Sequence, residues 1–259
     1  MHRHSRFLAE APLGRHFCQI HHDAATLTDA VTNYTYAGLV AGHALVLAAV
    51  PTRLAAVEAW LRKSGVHVDE CVRTGQLTLL DAHSLLERVM DGSTPNADAF
   101  RETIGGVLSE VAARGHRYTR VYGELVNVLW QGGNADAAIT LEDWWNELAY
   151  EHRFSLFCGY EMGGLDEASY HGPLGDIARC HSDVLETEFD ARLQVALDRA
   201  STELLGLPMS SALCYFGRDQ HDAEHRLPAG RRTMLWLHRN MPSAVGKVLA
   251  RARVHYSTA

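Results

Sequence analysis

The sequence predicts a three-layer α/β fold: a mostly parallel sheet with helices on both faces, followed by a helical and irregular C-terminal extension. Three observations predict it. Short β-prone runs alternate with helical stretches of about ten to fifteen residues, the pattern of a parallel sheet with crossover helices. The run Ala44 to Val50 is apolar throughout, as a strand buried on both faces should be. Hydrophobic residues make up 47% of the 259, enough for a large core.

The elements follow in order. His16 to Ile20 is a short β-prone run, and Asp23 after it is a helix cap for Leu27, Val31 and Tyr34 at helical spacing, closed by Gly42. Ala44 to Val50 is the second strand. Pro51-Thr52 starts a helix that carries Leu54, Val57 and Leu61 on one face before Gly65, and Gln76 to Leu80 is the third strand. The Gly/Ser/Pro/Asn patch from Gly92 to Asn96 reads as a loop. Phe100, Ile104, Val107, Leu108 and Val111 then trace an amphipathic helix ending at Gly115. Tyr118 to Tyr122 is the fourth strand, Leu141, Trp144, Trp145 and Leu148 are a helix face, and Phe154 to Cys158 is the fifth strand. After Gly172-Pro173 the pattern changes, with Asp183 to Leu207 reading as one long charged helix and a Cys/Arg/His-rich tail beyond it.

Composition bounds the function. No run of about 18 apolar residues occurs, and no apolar signal segment follows the N-terminus, so a cytoplasmic protein without a membrane span is expected. Five scattered cysteines with no CxxC pair argue against a disulfide framework or a zinc ribbon. The net charge of −7 is uneven: from Arg218 onward eight basic side chains face three acidic ones, which leaves −12 for residues 1–217. That basic tail suits nucleic acid, an acidic partner, or the acidic body of the same protein, and the last is the simplest.

Ligands of open α/β sheets bind beyond the carboxyl ends of the strands. The residues there are His21, His22 and Asp23, then Val50-Pro51, Asp81 and His83, Gly123-Glu124, and Tyr160-Glu161. Two carboxylates, Glu124 and Glu161, with His21 or His22 would make a polar ligand or metal site, or they are solvated loop residues. A phosphate loop needs Gly-x4-Gly-Lys-[Ser/Thr] after the first strand. The chain's two lysines, Lys63 and Lys247, lie elsewhere, so no P-loop nucleotide site is expected. His221, Glu224 and His225 match H-x-x-E-H, a zinc-binding pattern on a helix, but nearby Gly and Pro deny the segment a long helix. Cys158 in its apolar run reads as a core residue, and Cys180-His181 as an adjacent thiol and imidazole pointing different ways. Trp130 offers flat apolar surface.

The segments GRHFCQIHHD, YTYAGLVAGHALVL, GQLTLLDA, RVYGELVNVLWQGGN, LEDWWNELA, FSLFCGYEM and CHSDVLETE, in this order, resemble the MEDS sensory domain of regulators from methanogens and methylotrophs. The resemblance covers residues 14–188, with residues 1–13 an N-terminal arm and 189–259 an extension of unassigned role. It implies a RecA-like fold related to circadian-clock ATPases but lacking the phosphate loop. It also implies a bacterial signal-input module, without catalysis, that binds a small organic ligand and relays to a kinase, partner-switching or transcriptional component. Its characteristic positions fall on His16, Cys18, Glu124, Trp130, Cys158, Tyr160 and His181, none with a catalytic role. Family members commonly continue into an output domain, and residues 189–259 are too short for a kinase.

Two other readings stay open. One is a metal-dependent hydrolase using His221, Glu224 and His225, or His21, His22 and Glu124. The other is a pure protein-interaction module whose ancestral nucleotide pocket is filled, and a homo-oligomer is compatible with each reading.

Overall fold

Each apolar run expected to be a strand is one in the computed structural model, which describes residues 3–116, 118–163, 165, 174–216 and 222–257. The strands are β1 (His16–His21), β2 (Ala44–Ala49), β3 (Leu77–Asp81), β6 (Thr119–Gly123) and β7 (Ser155–Glu161). Two more, β4 (Met90–Asp91) and β5 (Thr94–Pro95), form a separate antiparallel hairpin where a loop was expected. Gly92 enables the tight turn with its φ of 63°. The main sheet has the order β3-β2-β6-β7-β1-β8, with β8 at Asp183–Leu185. Pairing of β2 with β3, β2 with β6 and β6 with β7 is parallel. The three-layer α/β expectation therefore holds.

The chain divides into two compact units. The first comprises Met1–Cys18 and Asp23–Glu161, the second Gln19–His22 and Met162–Ala259. β1 contributes to both.

In the first unit, β1 and β2 are buried at every position, as strands covered on both faces must be. Covering helices are α2 (Ala24–Val40), α3 (Pro51–Lys63), α8 (Leu125–Gln131) and α9 (Ala135–His152). Asp23 caps α2 as expected, its carboxylate accepting from the Thr26 N–H at 2.7 Å. The short helices α4 (Val68–Thr74) and α5 (Ala82–Val89) flank β3. Residues 1–13, read as an arm, contain helix α1 (Arg3–Glu10). Its Phe7 meets Phe17 edge to face, and Arg120, itself buried, donates to the Ala9 carbonyl.

The helix expected over Phe100 to Val111 is interrupted. It comprises α6 (Ala97–Phe100), a π-helical turn over Arg101–Gly105, and α7 (Gly106–Ala113). The adjacent Gly105 and Gly106 make the helix easy to deform there, and the wide turn keeps Phe100 against Trp144 and Trp145 while Ile104 and Leu108 stay in the core.

In the second unit, Asp183 to Leu207 corrects the single-helix expectation. Asp183–Leu185 is β8, and α11 (Glu188–Leu205) starts only at a capping box made by Thr187 and Asp190. Short β-branched Val184 suits a strand, and the capping residues then restart the chain as a helix. The remaining helices are α10 (Leu174–Cys180), α12 (Met209–Phe216), α13 (Ala229–Asn240) and α14 (Pro242–Ser257). Buried Asp190 takes two bonds from Thr187 on one oxygen and the Arg231 Nε on the other at 2.6 Å, while Arg231 also donates to the Ile20 carbonyl. Arg239 pairs with Glu224 and Arg251 with Glu203, so with Arg231 three basic side chains of the tail meet acids of their own unit.

Strand alternation sorts the first unit's core into two layers. Phe17, Tyr34 and Phe157 cluster on one face of the sheet, with Phe17 and Phe157 stacked at 5.4 Å. Gly159 allows Leu27 to approach β7: an added Cβ would lie 2.3 Å from Leu27 Cδ1, inside a packed core. Gly159→Ala is therefore expected to cost about 1–3 kcal/mol in urea unfolding, the usual range for overpacking.

Tyr34, Tyr122 and Tyr160 are wholly buried, and burial raises all three hydroxyl pKa values above the ordinary tyrosine value. They stay neutral in the folded chain when the unfolded chain ionises near pH 10. Their contribution to stability is fully present below about pH 10 and is lost as pH rises beyond it. Spectrophotometric alkaline titration should show these three of the nine tyrosines ionising only with unfolding.

Candidate functional site

Glu124 sits where the sequence places it, directly after β6, but its carboxylate is enclosed. Its Oε2 accepts from the Val50 N–H at 3.0 Å and its Oε1 from Arg53 Nε at 2.8 Å. Val50 caps α3 without any side-chain bond of its own, so Glu124 supplies one of that helix end's missing partners. Arg53 extends the link to α2, donating to the Ala24 carbonyl and the Thr28 hydroxyl. Burial alone would lower the Arg53 pKa, yet the bond to Glu124 and nearby acidic charge leave it above its ordinary value. Glu124 is 1% exposed and Arg53 5%, so the pair is a buried clamp joining β6, α2 and α3. A shallow depression of about 240 Å³ beside it is lined by Ala24, Ala25, Thr28, Thr52 and Arg53.

A second polar cluster lies on the sheet face opposite the aromatic layer. His16 opens β1, Cys158 lies in β7, and Tyr160, two residues on, shares the face of Cys158. From α9 come Glu142 and Asn146, one helical turn apart. His16 Nε2 is 3.1 Å from Glu142 Oε2 and 3.3 Å from Cys158 Sγ, and the thiol is 3.5 Å from the same carboxylate oxygen. The other carboxylate oxygen accepts from the Tyr160 hydroxyl at 2.5 Å. His16 Nδ1 lies 2.9 Å from Asn146 Oδ1, which as an acceptor places the proton on Nδ1 and turns the Nε2 lone pair toward Glu142 and Cys158. His16, Glu142, Cys158 and Tyr160 are all buried. Burial is the largest cause of the raised Tyr160 pKa, with Glu142 and Cys158 adding to it.

The model of the family described as "MEDS: MEthanogen/methylotroph, DcmR Sensory domain" matches residues 15–182. The chain belongs to the MEDS family. No curated protein matches it.

His16, Cys158 and Tyr160 converge, and the half-buried Trp130 presents its ring edge-on to Tyr160 with centroids 6.3 Å apart. Cys18 is buried on β1. Glu161 gives its backbone N–H to Asn127. Three candidates belong to the second unit: His21 bonds Gln19, His22 stacks on Phe189, and His181 donates from Nδ1 to the Ile177 carbonyl. Of the H-x-x-E-H residues, His221 lies outside the described residues. Glu224 pairs with Arg239, and His225 is exposed on a 3₁₀ turn rather than an α-helix, so the motif lacks the helical spacing its metal chemistry requires.

Glu142 and Asn146 did not stand out in the sequence. A signal was present: Glu142 falls four residues after Ala138 and three before Trp145, within the apolar stripe of α9, where an acid is out of place. At the clamp, removing one partner strands a buried charge. Arg53→Met should lower stability by about 3–5 kcal/mol, and Arg53→Met combined with Glu124→Gln should recover part of that loss, measured by urea denaturation.

Proposed function

We propose that this MEDS domain is a non-enzymatic sensory module whose input is read at the His16, Glu142, Cys158 and Tyr160 cluster. The observation that supports this reading is the convergence of four buried polar side chains from two strands and a helix. A layer needed only for packing would be as stable, or more so, with apolar side chains of the same volume. Buried ionisable groups brought together in this way are where binding functions concentrate. The Glu124 clamp has a sufficient structural role and is not the input site on this reading.

The ligand is a small molecule or ion, in keeping with the membership of a sensory family. Occupancy changes output only if the ligand binds two conformations unequally, so ordering of α9 against β1 and β7 is the change to be transmitted. The recipient is a separate signalling protein of kinase, partner-switching or transcriptional type. The RecA-like ancestry implied by the resemblance fits a parallel sheet in which Asp23 occupies the N-terminus of α2. A carboxylate there disfavours a bound phosphate.

The test is a thermal-shift and calorimetric screen of the full chain against short-chain organic compounds, nucleotides and metal ions. A ligand present at 100 times its Kd should stabilise by about 2.7 kcal/mol, a rise of roughly 5 °C or more in Tm. Tyr160→Phe and His16→Ala should reduce the response, and Tyr150→Ala, on an exposed side chain, should not. No response to any member of the panel would count against sensing.

A further inference from the structure

We infer that His16 Nε2, Glu142 Oε2 and Cys158 Sγ are the ligand atoms of a binding site for a divalent transition-metal ion of the zinc class. This names the ligand of the cluster discussed above, and in that sense rests on the reading of that cluster as the input site.

The donor set comes first. Imidazole nitrogen, thiolate sulfur and carboxylate oxygen together suit zinc and its neighbours, whereas magnesium and calcium take oxygen ligands. The spacing agrees. Tetrahedral zinc with bonds of about 2.0–2.3 Å holds its nitrogen, oxygen and sulfur ligands about 3.3–3.6 Å apart. The three atoms here form a triangle with sides of 3.1, 3.3 and 3.5 Å. Small adjustments of side chains already in place would complete that geometry.

The groups behind the ligands fit as well. A histidine that binds metal through one ring nitrogen donates the other N–H to an oxygen, which fixes the tautomer, and ligating carboxylates are themselves hydrogen-bonded. Asn146 Oδ1 accepts from His16 Nδ1, and the Tyr160 hydroxyl donates to the Glu142 oxygen that faces away from His16 and Cys158. Both supports come from regular elements, α9 and β7, so the ligand atoms are held by backbone that does not need to fold around the ion.

Charge balance follows. A divalent ion bound by one thiolate, one carboxylate and one neutral imidazole is neutralised by its own ligands, which suits a buried site. The Cys158 thiol proton leaves to solvent when the metal–sulfur bond forms, so binding is weaker at low pH.

The experiment uses the full chain expressed with zinc in the medium, followed by elemental analysis, chelator stripping and titration with Co2+. The expected result is one metal per chain, a thiolate-to-cobalt charge-transfer band and the intense visible bands of a four-coordinate Co2+ ion, its fourth position taken by a water molecule. Cys158→Ser should remove the charge-transfer band, and His16→Ala should weaken binding by tenfold or more. Tyr160→Phe should weaken it about 10–100-fold while retaining the band.

No stoichiometric metal together with no saturable cobalt spectrum would overturn the assignment, as would a band that survives Cys158→Ser. If a variant fails to fold, the wild-type spectrum decides alone, because a bound cobalt ion without a thiolate band excludes Cys158. The two proposals fail separately: organic-ligand stabilisation in metal-free protein would leave sensing in place without the metal. A cobalt site with no Tm response to any other ligand would leave the metal in place without a sensed organic compound.

Discussion

The two-residue period of β1 and β7 governs the first unit. Side chains on successive residues of a strand point to opposite faces, and both faces of this sheet are covered by helices. Phe17 and Phe157 therefore join Tyr34 in an apolar layer, and their immediate neighbours His16 and Cys158 meet α9 instead. A shift of one residue in either strand would exchange the two sets and place the imidazole and thiol among aromatic rings. The aromatic stack is thus the constraint that keeps the polar cluster assembled. Its packing holds the register from the other face of the sheet.

The unit buries two carboxylates in different ways. Glu124 meets a permanent cation, Arg53, and a backbone N–H, so its charge is compensated by groups that cannot titrate away in ordinary conditions. It ties the ends of β2 and β6 to the starts of α2 and α3. Glu142 has no permanent cation beside it and is held by an imidazole, a thiol and a phenol. The first arrangement neutralises its carboxylate with a fixed cation, and the second leaves it to hydrogen-bonding groups alone. In the second unit, Asp190 and Arg231 repeat the first kind, with the guanidinium fixing α13 to α11 and to the Ile20 carbonyl.

The strands could be read from the sequence because a strand buried on both faces is a short, continuous apolar run, and the Asp23 cap and the Pro51 helix start act within a few residues of their own helices. The interrupted helix around Gly105, the hairpin at Met90–Pro95 and the strand at Asp183–Leu185 could not. Each depends on what packs against it: Trp144 and Trp145 against Phe100, the pairing of β4 with β5, and the sheet edge beside β1. Site residues divide in the same way. His16, Cys158 and Tyr160 came from resemblance to a family, while Glu142 and Asn146 lie in a helix whose tryptophans dominate its pattern.

By itself the sequence determined the fold class, the order of β1, β2, β3, β6 and β7 along the chain, and the absence of a phosphate loop, because these follow from local periodicity, capping chemistry and residue identity. Only the tertiary structure decided what the carboxylates do. Glu124, prominent after its strand, is enclosed by Arg53, 71 residues earlier in the chain. Glu142 became part of a buried polar cluster through His16, more than a hundred residues away, and through the face of β7 that α9 covers. Electrostatics inside a protein depends on distance in space and on exclusion of water, and neither is written along the chain.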